Sequence, residues 1–299
     1  MPVSRYYPGN EKTSEYREGL YVGYRYFTTV NKAVRFPFGY GLSYTSFRYD
    51  GLTVDEKGAS FDVTNTGDCY GDEIVQMYVS LPDAKIFRPA RELRGFCRVG
   101  LNAGETKHVT IPFDDYSFRY FNVATDKWET ESGEYVILIG ASSEDIRLKG
   151  SFALKGTDAA DPYADAFIYC YKNGHIEAVP DESFKALLRR DIPEAKWDRN
   201  KPLEMNDTIR QLFYAKNPVA RFGYKILTKK VDKAIANGKP DLNMLFIYNM
   251  PFRGMGKMMN GMVTMDMAKD LLFMCNGHWH KGLFKLIHHF FHKPKIDLA

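Results

Sequence analysis

The sequence predicts a mainly β protein: an immunoglobulin-like β-sandwich in the first half, followed by a mostly α-helical C-terminal region. Two observations carry that expectation and a third qualifies it. Between about residues 51 and 140, short runs of alternating polarity are separated by turn signals about 8–15 residues apart, the texture of a sandwich. Beyond residue 180 the apolar residues recur at a helical spacing instead. Ahead of both stands an aromatic segment: of the chain's 20 Tyr, 21 Phe and 3 Trp, 13 lie in residues 1–50, with no sustained period.

From the N-terminus, tyrosines recur at Tyr16, Tyr21, Tyr24 and Tyr26, and only 20–27 reads as a strand. A segment this short, without two packed layers, does not close a core of its own. Residues 1–47 are therefore expected to be the edge of a larger domain, or a wrap that packs onto the next one. The sandwich domain is placed at 48–154, with strands at 61–65, 74–79, 93–101, 109–111, 118–121 and 133–139. Asn65-Thr66-Gly67-Asp68 turns the chain after the first, Pro82 stops the second, and Asn102-Ala103-Gly104 closes the third.

Residues 155–180 read as a linker, because Gly156-Thr157-Asp158 and Asp161-Pro162 break any period. Residues 181–299 form the helical extension. Asn217 is an N-cap with Pro218 at the first helical position, and Asn237-Gly238 ends that helix. Val219, Phe222, Ile226 and Leu227 are expected on one face of it, and a basic stripe of Arg221, Lys225, Lys229 and Lys233 on another. A last helix covers roughly 279–292, with Leu283, Ile287 and Phe290 aligned.

Composition narrows the function classes. In 299 residues, 44% hydrophobic and 26% charged is the balance of a globular chain. No apolar run reaches about 18 residues, so no helix is expected to span a bilayer. Cys69, Cys97, Cys170 and Cys275 lie far apart without a C-x-x-C pair, which argues against a zinc centre or a disulfide framework. With an N-terminus that shows no leader pattern, a reducing, cytoplasmic location is the expectation. The net charge of +4 hides an asymmetry, with 16 Lys/Arg against 7 Asp/Glu in residues 201–299.

Several stretches resemble a known family. Glu18-Gly19-Leu20-Tyr21-Val22-Gly23-Tyr24-Arg25-Tyr26-Phe27, followed by Phe36-Pro37-Phe38-Gly39-Tyr40-Gly41-Leu42-Ser43-Tyr44-Thr45, is similar to the end of the α/β sandwich domain of glycoside hydrolase family 3. Val75-Gln76-Met77-Tyr78-Val79, Arg88-Pro89-Ala90-Arg91-Glu92-Leu93-Arg94-Gly95-Phe96 and Gly140-Ala141-Ser142-Ser143 are similar to its fibronectin type III-like domain. The resemblance covers about residues 1–152 and implies that 1–47 is a remnant of the α/β sandwich domain. It further implies retaining hydrolysis of a terminal β-linked sugar by two carboxylates roughly 5 Å apart. Both carboxylates would precede Met1, so this chain alone is expected to be inactive, an accessory portion serving structure, stability or oligomerisation. Around Phe246-Ile247-Tyr248-Asn249-Met250-Pro251-Phe252-Arg253 the tail resembles, less closely, one that some bacterial members carry.

No catalytic, cofactor-binding or metal-binding residue is nominated, and no cofactor is expected. The carboxylate pairs Asp72-Glu73, Asp114-Asp115, Glu129 with Glu131, and Glu144-Asp145 read as turn and strand-end residues in solvent, since an acid/base couple needs burial. Phe87, Arg88 and Arg91 are the candidate carbohydrate or partner contacts, with pairing of Arg91 and Glu92 across strands as the plainer role. Arg221, Lys225, Lys229 and Lys233 are the candidate polyanion-surface contacts. His288 and His292 have the spacing of a metal pair on a helix, but no acidic or cysteine ligand stands beside them in sequence. The expected partners are the upstream catalytic domains of the same enzyme or a split-gene partner, then carbohydrate or a second copy. Nucleic acid is not expected, because no module motif accompanies the charge. Nor is a membrane surface, because the apolar residues of the tail are expected in a helical core. The alternative is a stand-alone module that binds carbohydrate, protein or a membrane surface.

Overall fold

The alternation in the first half becomes the register of two facing antiparallel sheets. In the computed structural model, which describes residues 2–7, 9–164, 166–198, 200–258 and 261–292, one sheet runs β1-β2-β5, from β1 (Phe47–Asp55), β2 (Gly58–Asn65) and β5 (Thr106–Pro112). The other runs β4-β3-β8-β9, from β3 (Gly71–Ser80), β4 (Glu92–Leu101), β8 (Gly133–Gly140) and β9 (Ile146–Leu154). A separate hairpin pairs β6 (Arg119–Asn122) with β7 (Lys127–Thr130). Ala59, Phe61 and Val63 point inward from β2 at period two, opposite Ile111, Val109 and Lys107 of β5. They meet Val75, Met77, Leu101, Tyr135, Ile137 and Ile139 in a closed core. Each fully buried Val, Leu, Ile, Phe or Met among them contributes about 1.5–3 kcal/mol by leaving water.

β3 does not alternate, because residues 75–79 are all buried. One face of this central strand packs on the facing sheet, while the other is covered by the N-terminal segment: Tyr24 meets Tyr78 edge-on at 5.8 Å. The run 20–27, expected as a strand, instead turns at Gly23 (φ 58°) into α1 (Tyr24–Thr29), burying Tyr26 and Thr28.

The stretch read as a linker contributes a second core. Tyr21 and Tyr26 are buried among Tyr163, Ile168, Cys170, Tyr171, Ile176, Val179 and Phe184, with Cys170 and Tyr171 in α2 (Tyr169–Lys172) and Phe184 in α3 (Asp181–Leu188). Arg17 joins the two ends, paired with Glu15 and Asp181 at 2.6 Å each and lying over the rings of Tyr6 and Phe184. The aromatic wrap is thus closed by residues about 150 positions further on, as the Tyr21 hydroxyl donating to the Tyr171 carbonyl illustrates.

The chain divides into two compact units, Met1–Lys196 and Trp197–Ala299. The second is helical: α4 (Pro218–Ala236), α5 (Leu242–Asn249), α6 (Phe252–Met258), α7 (Met265–Cys275) and α8 (Trp279–Phe291). Asn217 caps α4 by accepting from the Val219 N–H at 2.8 Å, with Pro218 first in the helix as expected. The core here is small, formed by Trp197, Leu203, Ala215, Phe252 and Cys275. α4 turns Val231 inward with Ala220, Tyr224 and Leu227 half-buried, so Val219, Phe222 and Ile226 face solvent. Leu283, Ile287 and Phe290 of α8 are exposed as well. The aligned residues are where the helical period puts them; the side they face is not the core.

Candidate functional site

Residues 36–45, the most motif-like run of the chain, form no regular element. Their apolar side chains Phe36, Phe38, Tyr40, Leu42 and Tyr44 all stand exposed. This ribbon is nonetheless held at defined points. Gln76, buried in β3, donates through Nε2 to the Ala141 carbonyl at 2.7 Å and to the Gly39 carbonyl at 3.3 Å. The Tyr78 hydroxyl donates to Gln76 Oε1 at 2.5 Å, which orients the amide. The Ser143 N–H donates to the Phe38 carbonyl at 2.8 Å, and Tyr24 stacks on Phe38 at 4.8 Å. Gly39 must be glycine: its φ is 82°, and a Cβ there would lie 2.2 Å from Gln76 Oε1.

Between the ribbon and the end of the sandwich lies a groove of about 600 Å³, lined by Tyr40, Ser43, Asp72, Glu73, Ser142 and Arg147 among others. Its charges are matched internally. Arg147 lies 4.6 Å over the Tyr49 ring, pairs with Asp145 at 2.9 Å and reaches Glu73 at 3.5 Å. The Tyr49 hydroxyl donates to Glu73 at 2.8 Å, and burial, then the Glu73 charge, push the phenol up. The groove therefore offers a polar floor, with Asp72, Glu73 and Asp145 each engaged by an arginine, and an aromatic rim.

One member in each of three carboxylate pairs is held as an anion by a neighbour. Arg98 holds Asp72 below the usual carboxylate range, the Ser117 hydroxyl does so for Asp114, and the Thr157 hydroxyl for Glu129. A general acid needs the opposite displacement. Among the described residues, no group of three or more His, Cys, Asp or Glu is placed to hold a metal ion.

Phe87, Arg88 and Arg91 are half-buried. Phe87 packs between Tyr21, Tyr163 and Tyr171 at 5.6–6.5 Å. Arg88 pairs with Glu131 at 3.0 Å where both side chains are nearly buried, and Arg91 donates to the Ser143 carbonyl at 2.7 Å. Through these contacts they brace the ribbon and the aromatic core. The basic stripe Arg221, Lys225, Lys229 and Lys233 is exposed along α4. Among the late histidines, His288 and His292 stack at 4.3 Å, while His289 Nδ1 meets the buried Asp270 carboxylate at 2.5 Å. An acidic partner thus does stand beside the cluster, 19 residues away in sequence. Gln76, Tyr24 and Asp270 are the positioning residues that sequence reasoning did not single out; only the burial of a lone polar residue in an apolar strand hinted at Gln76.

The fold and this bracing define a fibronectin type III-like sandwich with an aromatic segment packed on its end. Residues 73–143 match the fibronectin type III-like domain family. A thermostable β-glucosidase B of Acetivibrio thermocellus is 46% identical over 159 residues, covering 50% of this chain and 21% of its own length. An exo-α-(1→6)-L-arabinopyranosidase of Bifidobacterium breve is 42% identical over 184 residues, covering 60% of this chain and 24% of its own. The crystal structure of a family 3 β-glucosidase from Bifidobacterium adolescentis superposes with a TM-score of 0.51 at 40% identity, over 53% of this chain and 24% of that one. The first half of the chain is similar to family 3 β-glucosidases and carries a fibronectin type III-like domain. The chain spans about a fifth to a quarter of the length of these curated relatives.

Proposed function

We propose that this chain is the C-terminal accessory portion of a β-glucosidase-like glycoside hydrolase, acting in structure, stability or assembly. Its partner is the catalytic part, supplied by the same polypeptide or a second one. The two carboxylates of retaining hydrolysis belong to that part, and the substrate class is a glycoside with a terminal sugar, as the names of the relatives suggest. The observation that carries the proposal is the ribbon: five apolar side chains turned outward by Gln76, Ser143 and Tyr24. A contiguous apolar patch of this kind marks an interaction surface, and it coincides with the family motif.

The test uses the full chain and a separately produced catalytic portion of the Acetivibrio thermocellus relative. The chain alone leaves a nitrophenyl β-glucoside intact. Adding it to the catalytic portion raises that portion's melting temperature, and Phe36→Ser with Leu42→Ser removes the gain. Hydrolysis by the chain alone, or equal stabilisation by the ribbon variant, overturns the proposal. Oligosaccharide binding in titration calorimetry without any association would favour a stand-alone binding module instead.

A further inference from the structure

The second unit exposes more apolar surface than one small core explains. α8 turns Gly282 toward α7 so closely that a Cβ there would lie 2.4 Å from Met274 Cγ, and His289 on the same side meets Asp270. At about 3.6 residues per turn, the outward arc then holds Leu283, Phe284, Ile287, Phe290 and Phe291, with the exposed His280 among them. All five apolar side chains are exposed, Phe284 by 76% and Phe291 by 75%. Beside this arc, around the helix, run Lys281, Lys285, His288 and His292, with Lys285 lying 5.3 Å over the Phe273 ring. Residues 271–296 contain no Asp or Glu.

Two other helices also expose apolar side chains. α5, with sequence Leu-Asn-Met-Leu-Phe-Ile-Tyr-Asn, is apolar around most of its circumference yet has no buried residue. Such a helix is ordinarily found inside a core or a membrane. On α4 the helical angle places Phe222, 64% exposed, between Lys229 and Lys233.

We propose that α8 seats the second unit on an anionic phospholipid surface, its phenylalanines and Ile287 at the acyl boundary and Lys281 and Lys285 at the headgroup phosphates. An apolar arc bordered on one side by cations, on a helix without a single carboxylate, has the charge and shape of an interfacial helix. A second copy fits the face less well, because its own basic arc would be brought against this one. No described helix is long and apolar enough to cross a membrane, so the binding is peripheral.

The full chain is sedimented with phosphatidylcholine vesicles, with and without phosphatidylglycerol. It binds the mixed vesicles, and raised salt weakens the binding. Phe284→Ser with Phe291→Ser, and Lys281→Gln with Lys285→Gln, each lower the partition coefficient about tenfold or more. Far-UV circular dichroism of both variants stays native, because all four side chains are exposed. Absence of binding, or equal binding by either variant, overturns the proposal. So does a monomer–dimer equilibrium, measured without vesicles, that the same substitutions abolish.

Discussion

Tyr26 and Glu177 form the most informative single pair in the first unit. The Tyr26 hydroxyl donates to the Glu177 carboxylate; burial, then this bond, push the phenol up to about 12, and the same bond holds Glu177 below its usual range. A phenol raised above its unfolded value near 10 contributes stability that is whole below that pH and is lost as pH rises through about 12. Glu177 contributes in the other sense: its share is present above about 4.5 and fades as pH falls. Tyr26→Phe should therefore flatten both limbs of a plot of urea midpoint against pH. Burial pushes Tyr21 and Tyr171 in the same core up as well, so part of the alkaline limb remains in the variant. An alkaline limb unchanged in Tyr26→Phe would assign it to other groups. Arg88 offers a second test at this scale. Truncating it leaves Glu131 uncompensated, with a side chain only 9% exposed, and should cost about 3 kcal/mol.

At the scale of elements, the ribbon and the aromatic core depend on pieces far apart in sequence. A chain ended at residue 154 lacks Tyr163, Ile168, Tyr171, Ile176 and Phe184, and so uncovers Tyr21, Tyr26 and Phe87. It should bind a hydrophobic dye and aggregate, whereas a chain ended at 196 should stay monomeric; size-exclusion chromatography separates the outcomes. Gly39→Val drives a side chain into Gln76 and should free the ribbon, raising proteolysis between residues 36 and 45 while the sandwich stays intact. These dependencies show what local pattern carries. Strands with one buried face, such as β2 and β8, were legible because their alternation is set by the facing sheet. β1 and β9 were not, since β1 buries only Tyr49 and β9 buries no residue fully, and each contains a glycine, Gly51 or Gly150. The segment 155–180 begins with turn residues, and its apolar residues are too irregular to show a period; their partners lie about 150 positions back. Gln76 and the Asp270–His289 contact were hidden for the same reason, being defined by tertiary neighbours. The exposed arcs of α4 and α8 show the converse, since a helical period reveals which residues share a face and not what covers it.

For the whole molecule, the division into two compact units with separate cores makes stability a two-part quantity. Differential scanning calorimetry should resolve two transitions, and each unit supplies a substitution confined to itself. Arg88→Ala strikes the first unit; a loss of about 3 kcal/mol in roughly 196 residues lowers its midpoint by about 6–12 °C. Gly282→Val strikes the second, because any Cβ at 282 meets Met274 Cγ at 2.4 Å and the Asp270 carbonyl at 3.2 Å, forcing α8 away from α7. Each variant should move one transition and leave the other within error. If both substitutions shift a single common transition, the units fold as one, and the membrane-facing and catalytic-partner roles proposed for them are mechanically linked. If the transitions move independently, the Gly282 variant also becomes the sharper probe of lipid binding. It should lose affinity for anionic vesicles while still stabilising the catalytic portion through an intact ribbon.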